Sequence, residues 1–148
     1  MRHTRYQGAI VEDGKLLLIT HKHHEDGREY WVIPGGGREE GELEEDSVVR
    51  EMKEETQLDV EVVRLALDEA AKPGGEYKRR KTYLCKVLGG EAAPGYEPEL
   101  EASETYSIGA VAWFDLSDED SWGEELKADS LTYTQVKKLQ KVLGYLRD

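Results

Sequence analysis

Three glutamates of one acidic segment have the spacing to share one side of a helix. Glu54 and Glu55 lie three and four positions after Glu51. At about 100° per residue they fall within about one third of the helix circumference. The adjoining helix face is apolar and consists of Val48, Val49 and Met52. Carboxylates converging on a helix anchored by its apolar face suit a hard divalent cation such as Mg²⁺ or Mn²⁺ that bridges to phosphate groups.

The same acidic pattern has an ordinary explanation. Carboxylates at these spacings repel one another and destabilise a helix. Arg50, four residues before Glu54, and the neighbouring Lys53 would relieve that repulsion on a solvated face. Taken alone, the helix favours this solvated interpretation over a metal site.

A glycine run precedes the acidic helix. Gly35, Gly36 and Gly37 allow the backbone to turn sharply and to approach a ligand closely. A Pro-Gly-Gly sequence is by itself more typical of a simple turn, so the run is weak evidence for a site.

Glycine and acids together form a recognisable spacing. Gly36 is followed after five residues by Glu42, and after seven more by Arg-Glu-Met-Lys-Glu-Glu-Thr-Gln-Leu, which ends at Leu58. This segment resembles the Nudix box, with Gln57 in place of the family's glycine. That position ends the helix, where glycine eases a left-handed turn. We expect Gln57 to strain the helix exit slightly and to touch no ligand position.

The resemblance implies a metal-dependent hydrolysis. The implied ligands of Mg²⁺, or of Mn²⁺ as an alternative, are Glu51, Glu54, Glu55 and a backbone carbonyl of Gly36 or Gly35. Arg50 and Glu42 would orient these groups. The implied reaction is attack of water on phosphorus, with the cations lowering the pKa of the water and neutralising the pyrophosphate. Glu51, Glu54 and Arg50 are therefore the predicted catalytic residues in the box.

The resemblance implies that the general base is a box glutamate or a carboxylate of a later segment. The later candidates are Glu97, Glu99, Glu101 and Glu104, with Glu99 or Glu97 favoured. Each of them also has an ordinary interpretation as a solvated loop acid. Two residues are candidates for substrate binding: Arg80 for phosphates and Tyr83 for stacking on a base. A solvated strand and core packing are the alternatives.

The resemblance does not choose the substrate. A nucleoside triphosphate, ADP-ribose or another nucleotide sugar, and a dinucleoside polyphosphate all contain the implied bond. A nucleotide-binding or regulatory module without hydrolysis is the alternative function, and an acidic helix in a structural protein is a third.

Composition restricts the partners. With 20 basic and 32 acidic side chains the net charge is −12, which disfavours stable nucleic-acid binding. Cys85 is the only cysteine, so an internal disulfide is excluded and a buried thiol is expected. The sequence has no apolar stretch of transmembrane length and no signal-peptide pattern at Met1. We expect a cytoplasmic protein, with a homodimer suggested only by analogy.

The elements that must position these residues follow from hydrophobic patterning. Strands are predicted at residues 5–12 and 15–20, joined by an Asp-Gly hairpin turn, and at 30–33, 58–67, 77–87 and 110–116. Helices are predicted at 43–56 and 134–146, with loops at 21–28, 71–75 and 89–107. We expect one domain over residues 1–148, an α/β/α sandwich of Nudix type with a mixed β-sheet.

Overall fold

The computed structural model describes residues 3–75, 77–95 and 106–146. Its strands are β1 (Thr4–Glu12), β2 (Lys15–His23), β3 (Glu29–Val32), β4 (Gly35–Gly36), β5 (Asp59–Ala70), β6 (Arg79–Gly89) and β7 (Tyr106–Asp115). Its helices are α1 (Glu44–Thr56), α2 (Glu124–Ala128) and α3 (Ser130–Val142), with a 3₁₀ turn at Glu119–Trp122.

The strands form a mixed sheet in the order β3-β2-β1-β6-β5, with β4 paired to β1 and β7 paired to β2. Strand β1 runs parallel to β6 along residues 4–10, and the other pairings are antiparallel. With helices packed on the sheet, the predicted α/β class with a mixed sheet is confirmed.

The amino-terminal hairpin has the predicted turn. Asp13 and Gly14 both have positive φ, 52° and 76°, as the tightest hairpin turns require. Strand β2 extends to His23, however, so the loop predicted from His21 begins later. The reason is tertiary: β3 and β7 flank β2 at these positions and pair with it on both sides.

Two apolar cores lie on opposite faces of the sheet. Helix α1 contributes Val48 and Met52 to one core, which also contains Tyr83. Helix α3 contributes Val136 and Leu139 to the other core. Helix α1 is therefore fixed to one face of the sheet, and α3 covers the other.

The last helix lies earlier in the chain than predicted. It begins at Ser130, where the carboxylate of Asp129 accepts a hydrogen bond from the Thr132 N–H and caps the first turn. It ends at Val142, and Gly144 follows with a φ of 85°. The predicted helix extended to Leu146 and was expected to pack on the core over that length. Val142 and Leu146 instead lie at or beyond the end of the helix and are 44% and 47% exposed.

The segment after β7 contains the 3₁₀ turn and α2, neither of which was predicted from the sequence. Trp122 and Leu126 are both buried there and belong to the same core as Val136 and Leu139 of α3.

Among the helices of the described residues, none combines the length and the hydrophobicity needed to cross a lipid bilayer.

Candidate functional site

Helix α1 is seated directly on β1. A Cβ on Gly8 of that strand would lie 2.4 Å from the Met52 sulfur, so a larger residue at position 8 would displace the Met52 side chain. Val48 and Met52 are fully buried. The apolar side of α1 is thus immobilised, and the orientation of its acidic side is set by packing.

The acids of α1 face the glycine loop. Glu51 and Glu55 are 1% and 0% exposed, whereas the Glu54 side chain is 18% exposed. Glu55 Oε1 accepts a hydrogen bond from the Gly35 N–H at 3.0 Å. A Cβ on Gly36 would lie 2.6 Å from Glu51 Oε1. Glycine at position 36 therefore leaves the space that the Glu51 carboxylate occupies.

Arg50 connects the acids to the loop. Its Nε donates to Glu42 Oε2 at 2.8 Å, and its Nη2 donates to Glu42 Oε1 at 3.0 Å and to the Gly37 carbonyl at 3.1 Å. Its Nη1 donates to Glu51 Oε1 at 3.1 Å and to Glu54 Oε2 at 3.2 Å. One planar guanidinium thus fixes two acids of the helix relative to the loop.

The pair of Arg50 and Glu42 stays charged. The hydrogen bond from Arg50 holds the pKa of the Glu42 carboxyl below its usual value, against the opposing effect of burial. The same bond raises the pKa of Arg50 above its ordinary value. Arg50 and Glu42 thus form a charged pair beside the helix acids, and their role in orienting these acids stays a prediction.

The site offers the donor chemistry of a magnesium site. In the described part of the chain, no three His, Cys, Asp or Glu side chains are already gathered around one point that could hold a metal ion. Arg50 Nη1 contacts oxygens of Glu51 and Glu54, two of the predicted ligands. Carboxylates on a fixed helix beside a glycine loop fit Mg²⁺, which prefers oxygen ligands.

Tyr83 is bound to α1. Its hydroxyl donates to Glu44 Oε1 at 2.8 Å, and Lys81 Nζ donates to the same oxygen at 3.0 Å. Burial and this hydrogen bond raise the pKa of Tyr83 above its usual value. Burial raises the pKa of Glu44, but the hydrogen bonds from Lys81 and Tyr83 outweigh it, and the net shift is downward. These contacts tie the first turn of α1 to β6.

Arg80 lies on the opposite face of the sheet. Its Nε is 4.0 Å from Glu69 Oε1, and Glu69 also pairs with Lys138 of α3. Arg80 is therefore separated from the acids of α1, and its contact with substrate stays a prediction. The candidate bases Glu97, Glu99, Glu101 and Glu104 lie outside the described residues.

The anchor formed by Glu44 and Lys81 was not predicted. The two residues are 37 positions apart, and the strand register that brings them together is not visible in local patterning. The only signal was a basic run on a strand of an acidic protein.

Known proteins resemble this chain. It is 35% identical over 91 residues to the ADP-ribose pyrophosphatase of Methanocaldococcus jannaschii. This match covers 60% of this chain and 53% of that protein. It is 34% identical over 110 residues to the NAD-capped RNA hydrolase NudC of Vibrio atlanticus. This match covers 74% of this chain and 36% of that protein. The chain spans between 26% and 53% of the length of the curated relatives that it matches.

A solved structure and a family model extend the match to the fold. The crystal structure of an ADP-ribose pyrophosphatase from Streptococcus suis is similar with a TM-score of 0.66 and 26% identity, over 97% of this chain and 93% of that one. A family model described as a NUDIX domain matches residues 2–133, which include the whole glycine loop and acidic helix. The chain therefore belongs to the Nudix family.

Proposed function

We propose that this chain is a Mg²⁺-dependent pyrophosphohydrolase. It cleaves a phosphoanhydride bond in a nucleoside diphosphate that is linked to another group. The observation that carries the proposal is a hydrogen-bonded cluster of acids at the glycine loop. Glu51 and Glu55 are buried against the loop, and Glu54 lies beside them. Arg50 donates hydrogen bonds to both Glu51 and Glu54.

The residues divide the work between holding and reacting. Glu51, Glu54 and Glu55, with a carbonyl of Gly36 or Gly35, would hold Mg²⁺. The bound cation supplies positive charge to the pyrophosphate oxygens and makes water a better nucleophile at neutral pH. Glu54 is the most exposed of the three acids, which supports a second role for it as acceptor of the proton from the attacking water.

Arg50 and the glycine loop prepare the site before substrate arrives. Arg50 is hydrogen-bonded to the helix acids and to the Gly37 carbonyl, which fixes their separation. A preorganised arrangement of charges accelerates phosphoryl transfer because it does not have to reorganise during the reaction. The glycines of the loop lack side chains, which lets the Glu51 carboxylate pack directly against Gly36.

ADP-ribose and related nucleotide sugars are the substrate class that we favour. Two of the similar proteins described above are named ADP-ribose pyrophosphatases, and one is a solved structure of almost the same extent. Nucleoside triphosphates and dinucleoside polyphosphates are the other classes to be tested. All of them present the same diphosphate to the acids of α1.

The test compares Glu54→Gln with the wild type. We expect wild-type protein with Mg²⁺ to release AMP from ADP-ribose, and the variant to lose at least about two orders of magnitude in kcat with an unchanged melting temperature. Glu45→Gln is the matched control, because Glu45 is an exposed acid in the first turn of the same helix. A Glu54→Gln protein with full activity would refute the mechanism.

The same substrate panel tests the alternative function. A nucleotide that raises the melting temperature without being hydrolysed, with either Mg²⁺ or Mn²⁺, would identify a binding or regulatory module instead.

A further inference from the structure

Residues 91–95, termed the strap, lie across the carboxyl-terminal end of α1. The Gly95 N–H donates to the Glu55 carbonyl at 2.9 Å, and the Ala93 N–H donates to the Thr56 carbonyl at 3.0 Å. Carbonyls in the last turn of a helix have no partner within the helix. The strap therefore completes the hydrogen bonding of the turn that carries two of the three acids.

The strap approaches this turn more closely than a side chain would allow. A Cβ on Gly95 would lie 1.8 Å from the Glu54 carbonyl oxygen and 2.9 Å from the Glu55 carbonyl carbon. Such a contact is with backbone, which cannot swing aside. A shift of the strap would consequently change the backbone contacts of Glu54 and Glu55.

Gln57 fastens the strap. It ends α1 in the left-handed conformation, with φ 65° and ψ 13°, which a residue with a Cβ adopts unfavourably. Its side-chain Nε2 donates to the Pro94 carbonyl at 2.7 Å. Glycine would take the same backbone conformation without strain but could not make this bond.

At position 57, glutamine therefore provides a side-chain hydrogen bond that glycine could not make, but it adopts the left-handed backbone conformation less readily than glycine. We infer that Gln57 is a positioning residue: its amide latches the strap onto α1 and so holds the Glu54–Glu55 turn in its working geometry. This inference rests on the proposed hydrolysis for its kinetic consequence, and on hydrogen bonding alone for its structural consequence.

Two substitutions separate the latch from the strain. Gln57→Gly removes the donor and also the strain of the left-handed conformation, which glycine adopts readily. Gln57→Met keeps the side-chain length and the strain but removes the donor. If the latch acts, both variants lower kcat for the hydrolysed nucleotide between about threefold and tenfold, the equivalent of one lost hydrogen bond, and leave KM unchanged. Both also speed hydrogen exchange at the Ala93 and Gly95 amides.

Thermal stability distinguishes positioning from general loosening. Gln57→Gly relieves strain, so its melting temperature should be at or above that of Gln57→Met although both lose activity. The control is Asp13→Gly, because Asp13 is also a non-glycine residue with positive φ, 52°, but lies in the β1–β2 turn. It should keep wild-type kcat and wild-type exchange at Ala93 and Gly95.

The outcomes separate this inference from the proposed function. An active wild type with unchanged kcat in both Gln57 variants overturns the inference, and so does a loss confined to Gln57→Met. A wild type that hydrolyses nothing in the panel refutes the proposed function, and amide exchange then decides the latch alone. Exchange that stays at the wild-type rate in both variants overturns the latch in either case.

Discussion

At the scale of single residues, the hydrogen-bond network of Arg50 requires the planar geometry of its guanidinium and not only its positive charge. Its guanidinium contacts the carboxylate of Glu42 with two nitrogens, a loop carbonyl with one, and the acids of α1 with another. A lysine ammonium carries the same charge but lacks the planar fork. The spacing within this network therefore depends on arginine itself.

We predict that Arg50→Lys keeps the fold and loses most of the activity. The variant can satisfy some acids but cannot hold Glu42, Glu51 and the Gly37 carbonyl together. We expect kcat to fall by about tenfold to a hundredfold, and the free energy of unfolding to drop by about 1–3 kcal/mol. Steady-state kinetics and urea unfolding measure the two effects.

Arg79→Lys is the control for that substitution. Arg79 forms an exposed ion pair with Asp68 at the edge of the sheet, where such pairs contribute little to stability. Equal losses in the two variants would mean that Arg50 has no special geometric role.

At the scale of elements, α1 is fastened at both ends as well as along its apolar face. Its first turn is bonded to β6 through Glu44, Lys81 and Tyr83, and its last turn to the strap. Its first turn has no side-chain cap of its own at Leu43. The bonds to β6 therefore provide a restraint at this end that local capping does not.

We predict that Tyr83→Phe weakens this restraint without altering substrate affinity. Removing the hydroxyl leaves Glu44 with Lys81 alone and should cost about 1 kcal/mol of stability. KM should not change, because the hydroxyl is bonded to the helix. Tyr133→Phe is the control, since its hydroxyl donates to Glu119 Oε2 beside α3. A tenfold rise in KM for Tyr83→Phe alone would instead place this residue in the substrate site.

The same elements show what local pattern could and could not predict. The limits of α1 were predicted within a residue, because its apolar positions and acidic spacing are encoded in one continuous segment. Strand β4 was missed, because two glycines carry no strand preference and pair with Tyr6 and Gln7 only through tertiary structure. The Asp129 cap of α3 was present in the sequence but was overlooked in favour of the later apolar spacing.

At the scale of the whole molecule, β1 holds the two halves of the sheet together. It runs parallel to β6 along residues 4–10, and its end forms the hairpin with β2. Contacts such as Gly8 with Tyr83 join distant parts of the chain. No local pattern specifies this register, whereas the family resemblance predicted the layered fold as a whole.

The stability of the whole molecule should depend on pH through His21. Burial, reinforced by the nearby charges of Arg5 and His23, lowers the pKa of His21 from 6.5 to about 3. Between those two pH values the unfolded chain binds a proton that the folded protein does not. Stability therefore falls as the pH drops below about 6.5, by up to about 1.4 kcal/mol per pH unit.

We predict that His21→Phe removes this part of the acid sensitivity. Urea unfolding at pH 8, 7, 6 and 5 should give a wild-type free energy that declines more steeply below pH 6.5 than that of the variant. Glu42 and Glu119, whose pKa values are lowered by hydrogen bonds, are common to both proteins and cancel in the difference. His24→Asn, at an exposed position nearby, should retain the wild-type slope. Parallel curves for wild type and His21→Phe would show that His21 has the same pKa in the folded and unfolded protein, so that its burial does not oppose the charge.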